Sequence, residues 1–304
     1  MRLVSCSDGT RTLAGLWHEG RVLDLAAAGR RINEAADLGS VLSIIRGGDA
    51  SHGALQRIAS RGEEFADAWL DLDQLQLLAP IPVPLRNVHC VGRNYLDHIK
   101  EGYAAAGREA KLPEVPQFFT KATGTVNSPY GDVRLDSRLT ELFDYEVELA
   151  LVIGRAGRDI PAASAMEHVF GYTVANDFTA RDLQRRHQQW FKGKSLDGSC
   201  PLGPCIVDRA EIGDPATLEL SLSVNGEERQ RARVAEMIFD IPAIIASLSA
   251  GMTLEPGDII LTGTPSGVGF AMQPPRALKG GDLVVARIDR IGELRNRIVE
   301  VAQG

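Results

Sequence analysis

Hydrophobic and polar residues alternate most strictly over Phe143 to Gly154, FDYEVELALVIG. Phe143, Tyr145, Val147, Leu149, Leu151 and Ile153 share one wholly apolar face, which predicts the core side of a β-strand. Asp144, Glu146, Glu148, Ala150 and Val152 share the other. That second face begins with three carboxylates and ends apolar, so the strand is expected to be buried on both sides at its far end, with acids gathered at its mouth. Like charges two apart on one strand face repel, and burial sharpens the repulsion. The pattern calls for something positive between Glu146 and Glu148, and a hard divalent cation held by oxygen ligands is the simplest candidate. An exposed acidic strand end is the plain alternative.

The rest of the chain reads as strand-rich. Arg2–Cys6, Thr12–Trp17 and Arg21–Leu25 are expected short strands, with turns at Asp8-Gly9 and Glu19-Gly20. Residues 33–70 carry helical spacing, with Val41, Leu42, Ile44 and Ile45 in one element and Leu55, Ile58, Phe65 and Trp69 in another. The alternating prolines of Ala79-Pro-Ile-Pro-Val-Pro84 predict an extended, semi-rigid linker. This divides the chain into a small N-terminal accessory domain (1–79), a linker (80–85) and a main domain (86–304). In the main domain Arg86–Val91, Gln117–Lys121, Val169–Asn176, Leu218–Val224, Ile259–Thr262, Leu283–Ile288 and Leu294–Val301 are expected strands. Asn225-Gly226 marks a hairpin. Asp240–Ala250 predicts a helix capped by Asp240, with Pro242 in its first turn and Gly251 past its end. Thr179-Ala-Arg-Asp182 matches a capping box and predicts a helix starting there. The segment from Gly102 to Pro116, rich in Ala and Gly, suits a mobile lid. Few long helices alternate with the strands, so the fold class is α+β, predominantly β: a sandwich or roll, not a doubly wound sheet.

Composition narrows the function. The net charge of −7, with no basic stripe, argues against nucleic acid as a partner. No run approaches the roughly 20 apolar residues of a membrane span, and the first residues lack the apolar core of a signal peptide. Cys6, Cys90, Cys200 and Cys205 form no CxxC and are expected to be buried, reduced thiols of a cytoplasmic protein.

Three groups of residues carry candidate chemistry. Glu146, Glu148 and Asp177 lie at the ends of two apolar strands. Three carboxylates with water suit octahedral Mg²⁺ or Mn²⁺, and the lack of a His or Cys cluster disfavours zinc. His98 and Glu101 share a face on a helical turn, where a carboxylate fixes the imidazole tautomer and raises its basicity; an exposed polar pair is the plain alternative. Arg181, Gln184 and Lys194 supply cations and amide donors able to hold a carboxylate and a developing oxyanion, against the alternative of a basic, solvated helix. Lys192-Gly-Lys194-Ser lacks the upstream glycine of a phosphate loop. Leu261-Thr-Gly-Thr-Pro-Ser-Gly-Val-Gly269 is a glycine-rich turn that lets backbone approach a ligand.

Taken in order, VGRNYLDHIKE, FDYEVELALVIG, NDFTARDLQ, GKSLDGSCPLGP and LTGTPSGVG resemble the fumarylacetoacetate hydrolase family, from about Val91 to Arg290. The resemblance implies a mixed β-sandwich roll with a small N-terminal α+β domain, and a homodimer. It implies Mg²⁺, Mn²⁺ or Ca²⁺ held by Glu146, Glu148 and Asp177, and a water-activating dyad of His98 and Glu101. It further implies catalytic roles for Lys194 and Gln184, and substrate contacts from Arg181, Thr264 and Lys121. Members that cleave fumarylacetoacetate itself carry a fourth acidic ligand seven residues before the histidine; Val91 stands there, so the chain is closer to the smaller bacterial acylpyruvate hydrolase-like branch. The expected activity is metal-dependent hydrolysis of the C–C bond of a 2,4-dioxo acid, an acylpyruvate, to pyruvate and a carboxylic acid. The alternative within the family is an oxaloacetate-type decarboxylase or a hydroxymuconate-type isomerase using the same enolate-stabilising site. Outside it, the alternative is a non-enzymic, cation-stabilised binding protein, which would need the acids but not His98.

Overall fold

The computed structural model describes residues 1–301. Its strands form a twelve-stranded sheet, a five-stranded sheet and a two-stranded ribbon. The strand Val147–Ile153 lies within the large sheet. It pairs antiparallel with Val169–Asn176 on one side and Ile259–Leu261 on the other. Beyond Ile259–Leu261 come Val88–Gly92, in parallel, and then Gln117–Lys121. Beyond Val169–Asn176 come Cys200–Asp208, Arg2–Ser7 and Thr12–His18.

The period-two pattern sorts this strand into two cores. Leu149, Leu151 and Ile153 pack with Leu220, Leu222, Val284, Ile288 and Leu294 of the five-stranded sheet and with Ile244 and Ile245 of helix Ile241–Ser249. Ala150 and Val152 join a second core with Val41, Ile44, Leu55 and Ile58 of the N-terminal helices. The strand is thus covered on both faces along its whole length, the acids included: Glu146 is 4% and Glu148 1% exposed. The acids gathered at the strand's mouth are thus buried, against the alternative of an exposed acidic strand end.

Several expectations need correction. The regular ladder breaks at Tyr145 and Glu146, and Phe143–Asp144 pairs instead with Thr179–Ala180. Thr179 is therefore held in an extended ribbon and cannot cap a helix; its hydroxyl donates to the Asp177 carbonyl, and the helix runs Arg181–Arg186 from an Ala180 N-cap with no side-chain bond. The proline stretch is packed down at its start, where Ala79 and Ile81 are buried and the Ser5 hydroxyl donates to the Pro80 carbonyl at 2.7 Å, while Pro82 and Val83 stay exposed. The presumed mobile segment begins inside a helix, Leu96–Ala105; residues 106–116 have no regular element and are mostly exposed. Among the elements not foreseen are the Asp24-capped helix Leu25–Arg31 and the strand Cys200–Asp208. The Asn225-Gly226 hairpin and the Asp240-capped helix form as expected.

Candidate functional site

Glu146 and Glu148 leave the same strand face, and Asp177 follows the end of the neighbouring strand, so pairing brings the three together. Their ligand oxygens lie within 4.8 Å of one another. Such a cluster needs positive charge, and the chain supplies part of it. Lys194 Nζ lies 2.5 Å from Glu146 Oε2 and 2.6 Å from Asp177 Oδ2. Arg181 Nη2 lies 2.7 Å from Glu146 Oε1, and its Nε donates to Asp144 Oδ2 at 3.0 Å. Glu148 has no cationic partner among the described residues; its Oε2 accepts the Gly263 amide at 2.6 Å.

The electrostatics follow from this division. Burial pushes the Glu148 carboxyl well up, and Asp177 and Glu146 push it further. Glu146 is buried too, but Arg181, Lys194 and His98 outweigh the burial and hold its carboxyl below the ordinary range. Burial opposes the Lys194 charge, yet Asp177 and Glu146 overcome it and keep the ammonium protonated. Three converging hard oxygen donors, one of them short of positive charge, fit an oxygen-loving divalent cation; no His or Cys belongs to the group.

His98 and Glu101 sit one turn apart on helix Leu96–Ala105. The His98 Nδ1 to Glu101 Oε1 distance is 2.8 Å, and the other carboxylate oxygen accepts the Gly267 amide at 2.8 Å. Glu101 thus ties the helix to the glycine-rich loop and orients the imidazole. With Nδ1 engaged, Nε2 is the ring nitrogen left for proton exchange.

These groups meet in a cleft of about 610 Å³, whose walls include His98, Glu146, Glu148, Arg181, Gln184, Lys194 and Thr264. Thr264 Oγ1 accepts from Gln230 Nε2 at 2.8 Å. Lys121 does not line it. Its ammonium is wholly buried beneath the acids, 2.8 Å from Asp177 Oδ1, and donates to the backbone carbonyls of Phe178 and Lys194. The expectation that Lys121 contacts substrate is replaced by a supporting role behind Asp177. A larger hollow of about 860 Å³ near Trp17 and Trp69 contains none of these acids.

Residues 87–299 match the model of the fumarylacetoacetate (FAA) hydrolase C-terminal family. The chain belongs to the fumarylacetoacetate hydrolase family. Among its relatives it is 44% identical over 283 residues, 91% of this chain and 93% of the other, to oxaloacetate tautomerase YisK of Bacillus subtilis (strain 168). Among solved structures it resembles the fumarylacetoacetate hydrolase of psychrophilic Exiguobacterium antarcticum, with 40% identity and a TM-score of 0.80 over 99% of this chain and 100% of that one. It also resembles maleylpyruvate hydrolase from Sphingobium sp. SYK-6 in complex with manganese(II) ion and pyruvate, with 29% identity and a TM-score of 0.78 over 99% and 100% of the two chains. An enzyme of this family is thereby supported, whereas C–C hydrolysis is not singled out: the tautomerase relative favours the alternative reading over the expected acylpyruvate hydrolase.

Some members of this family site escaped the sequence pattern. Asp144 holds Arg181 and accepts the amides of Gly269 and Phe270, a role its place on the acidic strand face hinted at. Phe270 lies under the Arg181 guanidinium at 4.5 Å. The four cysteines are free and buried, and burial pushes the Cys200 thiol up to about 12, which makes it inert. Among the described residues no helix is long and apolar enough to cross a membrane.

Proposed function

We propose that this enzyme interconverts the enol and keto forms of a short 2-oxo diacid of the oxaloacetate type, with Mg²⁺ or Mn²⁺ held by Glu146, Glu148 and Asp177. The observation that carries the reading is the charge of the cleft. Arg93, Arg108 and Arg185 line it, and none has a carboxylate partner among the described residues. A diacid needs an anion receptor at each end, whereas an alkyl acylpyruvate needs one such receptor and an apolar pocket. The likeness to an oxaloacetate tautomerase over nine-tenths of the chain supports the same reading.

The cation would supply Lewis acidity that eases loss of the 2-hydroxyl proton. The chain does the rest. His98, held by Glu101, moves the proton through Nε2: one proton leaves the 2-hydroxyl and one arrives at C3, with no water consumed. Lys194 and Gln184 face the oxygen that becomes negative and stabilise it. The helix Leu96–Ala105 and Phe270 form part of the cleft wall.

A second reading, acylpyruvate hydrolysis, is favoured by the manganese- and pyruvate-bound hydrolase neighbour and uses the same dyad to activate water. The two separate in one assay. Loss of enol ultraviolet absorbance is followed with enol-oxaloacetate and with acylpyruvates, before and after chelation and Mn²⁺ restoration. The proposal expects a higher kcat/KM for enol-oxaloacetate, lost on chelation. His98→Ala should lower it about 10²–10⁴-fold, the span typical of a lost general base, and Glu101→Gln by less. Undiminished activity after chelation, or a wild-type rate for His98→Ala, refutes the mechanism. Faster acylpyruvate cleavage gives the second reading the place.

A further inference from the structure

The turn Gly92-Arg93-Asn94 presents a guanidinium to the cleft in a way that needs explanation. Arg93 has a φ of +56°, a left-handed conformation that non-glycine residues seldom adopt. Its neighbours impose that conformation. Asn94, wholly buried, donates through Nδ2 to the carbonyls of Phe239 (2.9 Å) and Thr262 (2.8 Å), and its Oδ1 accepts the Phe239 amide at 2.8 Å. Gly263, at φ +103°, lets the strand Ile259–Leu261 and its loop lie against Asn94, whose Cβ would stand 2.8 Å from a Cβ built there. On the other side, a side chain at Gly92 would run into the Trp190 ring.

The guanidinium is held as firmly as the backbone. It lies 5.4 Å from the centre of the Tyr103 ring and 5.6 Å from that of Trp190, and Trp190 is itself braced edge-on by Phe119 at 5.3 Å. Both rings line the cleft. Yet Arg93 has no hydrogen-bond or carboxylate partner among the described residues, although it is half-buried. The other cations in the cleft differ. Arg181 and Lys194 are taken up by Asp144, Glu146 and Asp177. Arg108 and Arg185 are exposed at the rim, where water and salt weaken them.

We infer that Arg93 is the receptor for the distal carboxylate of the substrate, the residue by which the cleft selects 2-oxo diacids over monoacids. Aromatic faces fix the plane of the guanidinium without consuming its N–H donors, so two parallel donors are left for a carboxylate. The inference rests on the diacid reading above, and its test does not depend on turnover.

Lactate and malate differ by one distal carboxylate, and both bind without reacting through keto–enol chemistry. Their affinities are measured by calorimetry on the Mn²⁺-loaded enzyme. The wild-type protein should bind malate at least tenfold more tightly than lactate, as expected for a charge-assisted pair. Arg93→Gln should bring that ratio to within about threefold of unity and leave lactate affinity nearly unchanged. Arg93→Lys keeps the charge and loses the fork; it should fall between the two, and it serves where the Gln variant folds poorly. A wild-type ratio near one, a ratio unmoved by either variant, or equal losses of lactate and malate overturns the inference, since a purely packing role would affect both ligands alike. If instead the ratio behaves as expected but wild-type enzyme leaves enol-oxaloacetate untouched, the tautomerase reading falls and the diacid receptor stands.

Discussion

Glu148 is the residue on which the proposed cation binding turns. It shares a buried cluster with Glu146 and Asp177, and Lys194 bonds those two but not Glu148. Burial, then Asp177, then Glu146 hold its proton to higher pH than usual. A carboxyl that titrates higher in the folded state binds more protons there than unfolded. Its contribution to stability is complete below the ordinary carboxylate pKa and is lost as pH rises through the folded value. A divalent cation replaces that proton, so its stabilising effect should grow with pH. Mn²⁺ at about a hundred times its Kd should add about 2.7 kcal/mol. Thermal unfolding with and without Mn²⁺, compared at about pH 5 and about pH 8, should show the larger shift at the higher pH. Glu148→Gln should lose most of the shift while the metal-free protein melts no lower than wild type. An equal Mn²⁺ shift at both pH values would contradict this account. At this scale much was readable: alternation along Phe143–Gly154 put Glu146 and Glu148 on one face, and Asp177 closed a second apolar run. What was hidden is side-chain pairing across distance. Nothing near Arg181 reveals that Asp144 will claim its guanidinium, and nothing near Lys121 reveals that it will end up sealed under Asp177 instead of facing a ligand.

At the scale of elements, the site is assembled by strand ends and the turns that leave them. The turn after Val88–Gly92 is the most tightly specified. The Asn94 side chain closes three hydrogen bonds to Phe239 and Thr262, and its carbonyl accepts the Ile238 amide. Asn94→Ala would strand the buried Thr262 carbonyl and the half-buried Phe239 amide and carbonyl, each costing about 1–3 kcal/mol with partial relief from rearrangement and water. Urea unfolding should show a loss of about 2–4 kcal/mol with an unchanged m-value. A loss below about 0.5 kcal/mol, the scale of ordinary surface changes, would show that the turn does not depend on this side chain. Elements with a clean period were legible for physical reasons: Val169–Asn176 is apolar and bounded, and Asn225-Gly226 demands positive φ at both positions, which it adopts. Cys200–Asp208 was not legible because Pro201 and Pro204 remove two ladder donors and argue against a strand. The sheet accommodates them. Pro201 lies opposite the short parallel strand Val126–Asn127, and the register with Val169–Asn176 slips between Tyr172 and Val174, where the Pro204 stretch bulges out of the ladder. Thr179 misled for the converse reason: a cap motif is local, and the ribbon that overrides it pairs residues 35 apart, Asp144 with Thr179.

At the scale of the whole molecule, the boundary marked by the proline stretch is a boundary of composition that the sheet crosses. Arg2–Ser7 pairs with Cys200–Asp208, Arg2 donates to the Arg290 and Ile291 carbonyls, and the N-terminal ammonium meets Glu211 at 2.6 Å. More telling is the second core. Val88, Cys90, Ala150, Val152, Ala175, Leu202 and Leu261 belong to strands that build the site, and they pack in one cluster with Leu25, Val41, Ile44, Leu55 and Ile58. Without residues 1–79 that face of the sheet would meet water, and each large side chain so exposed forfeits about 1.5–3 kcal/mol. Summed over Val88, Val152, Leu202 and Leu261, the loss is about 6–12 kcal/mol, as large as the roughly 5–15 kcal/mol by which a domain is ordinarily stable. A protein of residues 86–304 alone is therefore expected to aggregate, or to remain compact without fixed tertiary packing, with strong binding of a hydrophobic dye and no cooperative melt. Adding the separate 1–79 fragment should restore part of the melt if the segment folds onto the sheet. Should residues 86–304 instead be soluble, melt cooperatively near the full-length temperature and keep enol-oxaloacetate turnover, the N-terminal segment is an appended module and the site's strands need no cover on that face. The contrast is decisive because Glu146, Glu148 and Asp177 all lie on 86–304: losing the site without losing any of its residues would show that the fold around it is held from the other side of the sheet.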